Sequence, residues 1–329
     1  MLDHHSGTNC LLRPRRGRQH GGVSLFDVII AGGGPAGLTA AIYASRAGLS
    51  TLVFEKMSFG GQAALTYRIE NYPGFKNISG IDLAADFEAH ARDSGAELRA
   101  EEITGLELDG PVKAVTTPAG RYEARAVILA LGSDRRKLGV PGEEEFSGRG
   151  VSYCATCDGN FFRNRDVAVV GGGNTAVEYV VELSGLCRHV TLIYRGERIS
   201  AMDSLQKQME SRTNISVLYQ KEVREILGTR SVERLRLADS KTNAESFLDV
   251  SGVFIAIGTV PKSELIDHSL LLPDGFIRAD ENGVTSVPGV FAAGDLRKKQ
   301  LYQIVTAMSD GANAANSAQR YLQSLNSRQ

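Results

Sequence analysis

Two stretches of the chain repeat one pattern, and together they leave few folds open. Phe26-Asp27-Val28-Ile29-Ile30-Ala31 is an apolar, β-branched run that ends in Gly32-Gly33-Gly34-Pro35-Ala36-Gly37. Asp166-Val167-Ala168-Val169-Val170 ends in Gly171-Gly172-Gly173-Asn174-Thr175-Ala176. Runs this apolar suit strands buried on both faces of a parallel sheet. A helical pattern follows each turn, to residue 47 in one case and about residue 184 in the other, and second strands are expected at 51–54 and 190–193. Strand, glycine turn, helix and strand make the unit in which helix N-terminal N–H groups meet a pyrophosphate. The chain is therefore expected to be α/β, with two dinucleotide-binding, Rossmann-like domains. In the first unit the second strand closes on Glu55, where a carboxylate accepts hydrogen bonds from a ribose. At the same distance from Gly171 stands Tyr194, so the second site lacks the ribose acid.

Just ahead of the second unit lies Cys154-Ala155-Thr156-Cys157-Asp158. A C-x-x-C pair can be half of a zinc site, a redox pair or two buried thiols. A structural zinc site normally needs four ligands. The only other cysteines, Cys10 and Cys187, are each alone, and none of the six histidines has a spaced partner. The spacing favours a redox pair, since two intervening residues let the sulfurs close a small ring; no metal is expected. Asp158 reads either as the group that shuttles the exchanged proton or as an ordinary helix-start aspartate. Two nucleotide cradles and a dithiol suggest electrons passing from one cofactor, through another, to a disulfide.

The bulk numbers agree with this and exclude some alternatives. The chain has 329 residues, 42% hydrophobic and 23% charged, enough for two domains with cores. A net charge of -1 gives no electrostatic case for nucleic acid or an anionic membrane. Four cysteines in so long a chain do not make a disulfide scaffold, so a reducing, cytoplasmic setting is expected. Residues 1–24 carry Arg13, Arg15, Arg16 and Arg18 against the single acid Asp3. They lack the apolar centre of a secretory signal. They read as a disordered extension, an upstream start or an organelle-targeting peptide, with strand periodicity beginning near Leu25.

Elsewhere, residues 60–62 and 69–74 read as loops and 82–94 as a helix. Residues 104–117 and 121–122 read as strands of a small antiparallel layer. Residues 126–130 form an apolar strand broken at Leu131-Gly132-Ser133, and 252–257 repeat it with a break at Gly258-Thr259. These look like paired crossings between domains. Residues 222–237 suggest strands, 289–295 a strand ending in Gly294-Asp295, and 306–322 a small-residue helix.

Taken together, these motifs resemble the low-molecular-weight thioredoxin reductases. The resemblance rests on the Gly32 to Gly37 turn, Gly60-Gly61-Gln62, Glu70-Asn71-Tyr72-Pro73-Gly74, the Cys154 to Asp158 string, the Gly171 to Ala176 turn and Gly294-Asp295. It covers roughly residues 25–322. It implies an FAD domain built from both chain ends, 25–134 and 262–329, with a nucleotide-type domain at 135–261 inserted between them and carrying the C-x-x-C. It implies FAD contacts from Gly32, Gly34, Pro35, Ala36, Gly37, Glu55, Gly61, Gln62, Asn71, Gly294, Asp295 and Gln303. Gly171, Gly173, Thr175, Ala176 and Arg195 would face a nicotinamide dinucleotide. Cys157 would face the flavin, Cys154 would exchange with the disulfide of thioredoxin or a thioredoxin-like protein, and Asp158 would handle the proton. A homodimer and a rotation between domains, hinged near Gly132 and Gly258, are implied as well.

The chain departs from the pattern in one place. Relatives that use NADPH usually carry His-Arg-Arg-x-x-x-Arg to grip the 2′-phosphate; here the run is Tyr194-Arg195-Gly196-Glu197-Arg198-Ile199-Ser200. Tyr302-Gln303 also replaces the usual Arg-Gln. NADPH and NADH binding is expected to be weakened, with NADH or reduced ferredoxin as the donor. Dithiol oxidases that use oxygen resemble this architecture and also lack these arginines. A flavin redox sensor is the third reading.

Overall fold

The computed structural model describes residues 18–20, 23–66 and 69–327. Of the extension expected over 1–24, residues 1–17, 21 and 22 lie outside the described residues. The rest is part of the fold: Arg18–His20 pairs antiparallel with residues 23–25, and the first long strand is Val23–Ala31. The strand thus begins three residues ahead of the apolar run.

The chain divides into two compact units, residues 1–134 with 261–329, and residues 135–260. In the first, the described residues form an eight-stranded sheet. Its parallel part runs Glu97–Ala100, Thr51–Glu55, Val23–Ala31, Gly120–Leu129 and Val290–Ala292. Val28, Ile30, Val53 and Ile128 pack on one face against the helices Pro35–Arg46, Gly80–Asp93 and Ile304–Asn326. Ile29, Leu52, Phe54 and Val127 pack on the other, with Ile266, Leu270 and Ile277. Burial on both faces is what the unbroken apolar runs require. Gly120–Leu129 is one strand where the sequence reads as two. Its first half pairs antiparallel with Lys113–Thr117, and its length pairs parallel with Val23–Ala31.

In the second unit a five-stranded parallel sheet has the order Ile215–Tyr219, His189–Tyr194, Asp166–Val170, Gly252–Ile255 and Val151–Ser152. Asn174–Ser184 packs on one face, burying Val177, Val180 and Leu183 with Val167 and Leu192. The three-stranded antiparallel layer Lys221–Gly228, Val232–Asp239 and Glu245–Asp249 shares the core of the other face.

Each unit closes its own ends. In the first, the Lys262 N–H donates to Gly132 O at 3.0 Å and its ammonium meets Asp134 Oδ1 at 3.0 Å. In the second, the Arg136 N–H donates to Gly258 O at 3.0 Å. Among the described residues no helix is long and apolar enough to cross a membrane.

Candidate redox site

The C-x-x-C lies at the carboxyl end of the Val151–Ser152 strand, opening the four-residue helix Ala155–Asp158. Ligand chemistry in open parallel sheets gathers at such strand ends. Cys154 and Cys157 form a disulfide with their Cα atoms 5.3 Å apart. Both are half-buried. The Cys157 N–H points at Cys154 Sγ, 3.2 Å away. Asp158 is therefore a residue of the short helix, and the group at its start is Cys154. The Asp158 carboxylate accepts a 2.6 Å hydrogen bond from Ser152 Oγ, which in turn accepts the Cys154 N–H at 3.1 Å. Burial pushes the Asp158 carboxyl above the usual carboxylate range, and the Ser152 hydroxyl partly opposes that shift.

Behind the pair, Tyr153 OH donates to Glu143 Oε1 at 2.7 Å. Glu143 is 2% exposed and also accepts the Leu138 and Gly139 N–H groups at 2.9 and 2.7 Å. Tyr179 OH donates to Tyr153 O at 3.1 Å, which ties helix Asn174–Ser184 to the same loop. Ser152, Tyr153, Glu143 and Tyr179 escape sequence reasoning. Glu143 stands in a run of three glutamates that reads as a solvated surface. Cys187, the free thiol among the described residues, is buried; burial chiefly pushes it up to about 11, and it is inert as a nucleophile at neutral pH.

In the first unit the expected cradle assembles around the Gly32 to Gly37 turn. Glu55 Oε2 accepts the Gly33 N–H at 2.9 Å, and the Gly60 N–H donates to Gly33 O at 2.7 Å. Gly60-Gly61-Gln62, read as a loop, enters the short helix Gly61–Ala64 because its left-handed glycines turn the chain into it. Gly294 abuts Ala36, so Asp295 stands beside the same turn; a Cβ on Gly294 would lie 2.8 Å from Ala36 Cβ. Asn71 Nδ2 donates to Gln303 Oε1 at 3.0 Å. Gln62 Nε2 is turned to Ser133 O.

These residues fit a dinucleotide. At Gly34 a Cβ would meet nothing nearer than Gly61 Cα at 3.9 Å, and no side chain caps helix Pro35–Arg46. Its first N–H groups thus face open space, as an anion requires. Asp295 Oδ1 is buried without an aligned hydrogen-bond donor.

The second turn is built differently. Gly173 is open, with nothing within 4 Å of a Cβ there, and no side chain caps helix Asn174–Ser184. Ala176 is buried and Thr175 exposed. The Tyr194 ring, however, lies over Gly172 and Gly196: a Cβ would come within 2.2 Å of it at Gly172 and 2.7 Å at Gly196. Arg195 and Arg198 are exposed, and Ser240 Oγ donates to Arg195 O at 3.1 Å. The Ser200 hydroxyl donates to Gly172 O at 2.9 Å, so its one O–H is already committed. The second turn thus keeps an open glycine before an uncapped helix and carries an aromatic ring where the first carries a carboxylate.

Comparison with known proteins places this arrangement. The family model for pyridine nucleotide-disulphide oxidoreductases matches residues 26–311. The thioredoxin reductase of Listeria innocua is 44% identical over 304 residues, covering 92% of this chain and 95% of that protein. The crystal structure of thioredoxin reductase from Streptococcus pyogenes superposes with a TM-score of 0.84 at 40% identity, covering 91% of this chain and 99% of that one. A ferredoxin-flavin thioredoxin reductase from Clostridium acetobutylicum is 30% identical with a TM-score of 0.50, covering 91% of this chain and 99% of that one. The chain belongs to the pyridine nucleotide-disulphide oxidoreductase family and, within it, to the low-molecular-weight thioredoxin reductases.

Proposed function

We propose that the chain reduces the disulfide of thioredoxin or a thioredoxin-like protein through FAD and the Cys154–Cys157 pair, drawing electrons from NADH or a reduced ferredoxin rather than from NADPH. The observation that carries the reading is the disulfide itself, set at a strand end in the unit that holds the second glycine turn. Held in the first cradle by the Gly32 to Gly37 turn and Glu55, FAD would supply the two electrons that open this disulfide. Cys157 receives them and Cys154 passes them on. The Cys157 N–H 3.2 Å from Cys154 Sγ steadies a thiolate there. That thiolate attacks one sulfur of the partner disulfide, forming a mixed disulfide and releasing the partner's other thiolate. Cys157 then attacks Cys154 Sγ, restoring the internal disulfide and freeing the second partner thiolate. Asp158, whose carboxyl burial pushes up, delivers a proton to the leaving sulfur of the partner and takes one back from the Cys157 thiol as that sulfur attacks Cys154.

The donor assignment rests on Tyr194, whose ring fills the place where Glu55 acts in the other unit, and on the likeness to the clostridial ferredoxin-flavin enzyme. Gly132 and Gly258, at the chain crossings, serve as hinges in this reading. Their φ values of 76° and 102° suit glycine, and a Cβ at either would meet nothing within 4 Å. A cytoplasmic homodimer completes the reading; it rests on the resemblance to the family and is checked by sedimentation of the yellow protein. The decisive test of the chemistry is Cys157→Ser. The variant keeps its FAD absorbance, loses thioredoxin reduction and accumulates a mixed disulfide on Cys154. Full turnover by this variant overturns the assignment.

A further inference from the structure

The reading that FAD occupies the first cradle leaves one buried group of charges without a role. The side chains of Arg297, Lys299 and Asp310 are 5%, 7% and 6% exposed. Asp310 Oδ1 accepts from Arg297 Nη2 at 2.9 Å, and Oδ2 accepts from Lys299 Nζ and the Gly294 N–H, each at 3.1 Å. Lys299 Nζ also lies 3.1 Å from Asp295 Oδ1. The Tyr302 ring closes over the ammonium, its centroid 5.6 Å from Nζ. Glu281, at the solvent edge, meets Arg297 at 3.1 Å.

Stability alone does not account for this group. Each buried ion carries a desolvation cost, and well-packed apolar side chains commonly hold such a site as well or better. Its position is informative. Asp310 sits on the inward face of helix Ile304–Asn326, where Ala307, Ala314 and Ala318 are also buried. Its neighbour Gly311 packs on the Ala36 carbonyl, where a Cβ would come within 2.1 Å. Gly294 abuts Ala36 from the other side. The cluster is therefore braced against the first turn of helix Pro35–Arg46, at the mouth of the cradle.

We propose that Lys299 is a positioning residue that sets the reduction potential of the bound flavin, by orienting the Asp295 carboxylate and keeping a poorly solvated positive charge beside the cofactor. Asp295 Oδ1 has no aligned donor, so charge attraction orients it and its lone pairs remain available to a cofactor hydroxyl. Reduction adds electron density to the flavin, and a nearby cation shielded from water favours that change. Asp310 holds Lys299 in place and, through Arg297, has its own charge balanced.

The test is an anaerobic equilibrium titration of the purified holoprotein against a reference dye. In Lys299→Met the flavin becomes harder to reduce by about tenfold in equilibrium constant, about 30 mV for a two-electron couple. Lys299→Arg keeps the charge and shifts the couple less than Lys299→Met does. Asp310→Asn removes a negative charge and shifts the couple the other way. Flavin content and the unfolding midpoint are recorded for each variant. A Lys299→Met protein with full FAD, an unchanged potential and only a lowered unfolding midpoint shows a structural ion pair and overturns the proposal. If that variant does not fold, a shift in Asp310→Asn toward harder reduction, or none, overturns it equally. A wild-type chain that retains no flavin from FAD-replete cells defeats the cradle reading itself, and the proposal with it.

Discussion

The two glycine turns of this chain are the same up to the ribose and different beyond it. Both leave an open glycine before an uncapped helix, at Gly34 and at Gly173. Both run from a strand flanked by parallel neighbours. Past that point one unit presents a carboxylate whose Oε2 holds the Gly33 N–H at 2.9 Å, and the other lays a phenol ring across Gly172. A carboxylate can accept from a backbone amide and a sugar hydroxyl together; a tyrosine laid over the glycine offers one hydroxyl in place of two charged oxygens. The phosphate cradle and the ribose grip are thus separable parts. Backbone geometry builds the first and a single side chain the second.

The largest expected effect restores what the second turn lacks. Charge-assisted hydrogen bonds contribute about 1.5–3 kcal/mol each, so two missing arginine partners cost NADPH roughly 10²- to 10⁴-fold in affinity. Stopped-flow bleaching of the flavin should be slow with NADPH in the native chain. The double variant Tyr194→His with Gly196→Arg should gain at least about tenfold. Gly196→Arg alone should gain less, since its Cβ would press on the Tyr194 ring at 2.7 Å. Rapid bleaching of the native protein by micromolar NADPH would show that Arg195 and Arg198 suffice.

The reverse exchange, Glu55→Tyr, carries the second unit's residue into the first. It removes one acceptor of the Gly33 N–H and crowds the Phe59 ring, already 2.5 Å from where a Gly33 Cβ would stand. Without the charge-assisted hydrogen bond from the ribose to Glu55, FAD should be held roughly ten- to a hundredfold more loosely, read as fluorescence of cofactor released on dilution. Undiminished retention would mean that Glu55 is not a ribose ligand.

A smaller difference lies where the helices leave the turns. The position held by Gly37 in the first unit is Ala176 in the second. A Cβ on Gly37 would lie 1.9 Å from Gly32 O, backbone that cannot swing aside. Gly37→Ala should cost the first unit about 1–3 kcal/mol by overpacking. Ala176→Gly should cost the second about 1 kcal/mol in helix propensity. Denaturation midpoints compare the two, and a Gly37→Ala protein as stable as wild type would break the distinction.

Much of this was legible because its physics is local. An apolar run buried on both faces announces a parallel strand, and a glycine turn followed by a helix announces an anion site. The C-x-x-C needs its spacing and the lack of any second cysteine pair in the sequence. What was not legible depends on the fold. Helix Asp203–Glu210 buries only Met209, so its sequence gives little pattern to read. Gly120–Leu129 changes midway from a half-exposed to a fully buried strand, and the change looks like a break. Ser152 and Glu143 acquire their roles through partners that become neighbours only after folding. Asp310 left a faint trace, an acid at a core-facing position of a helix otherwise packed with alanine and glycine.

The hydrogen bond from the Lys262 N–H to Gly132 O has a genealogical consequence. Where the inserted unit departs and returns, the host unit has already brought its two strands of chain together, and so has the guest at Arg136 and Gly258. The entropy of closing a long loop grows only as the logarithm of its length, so what lies between two such joined ends weighs little on the host. A nucleotide domain could therefore be received here as a finished cassette, and its cargo revised, with the flavin fold left undisturbed. Residues such as Tyr194, which lie wholly within the inserted unit, can accordingly vary without strain reaching the joined ends.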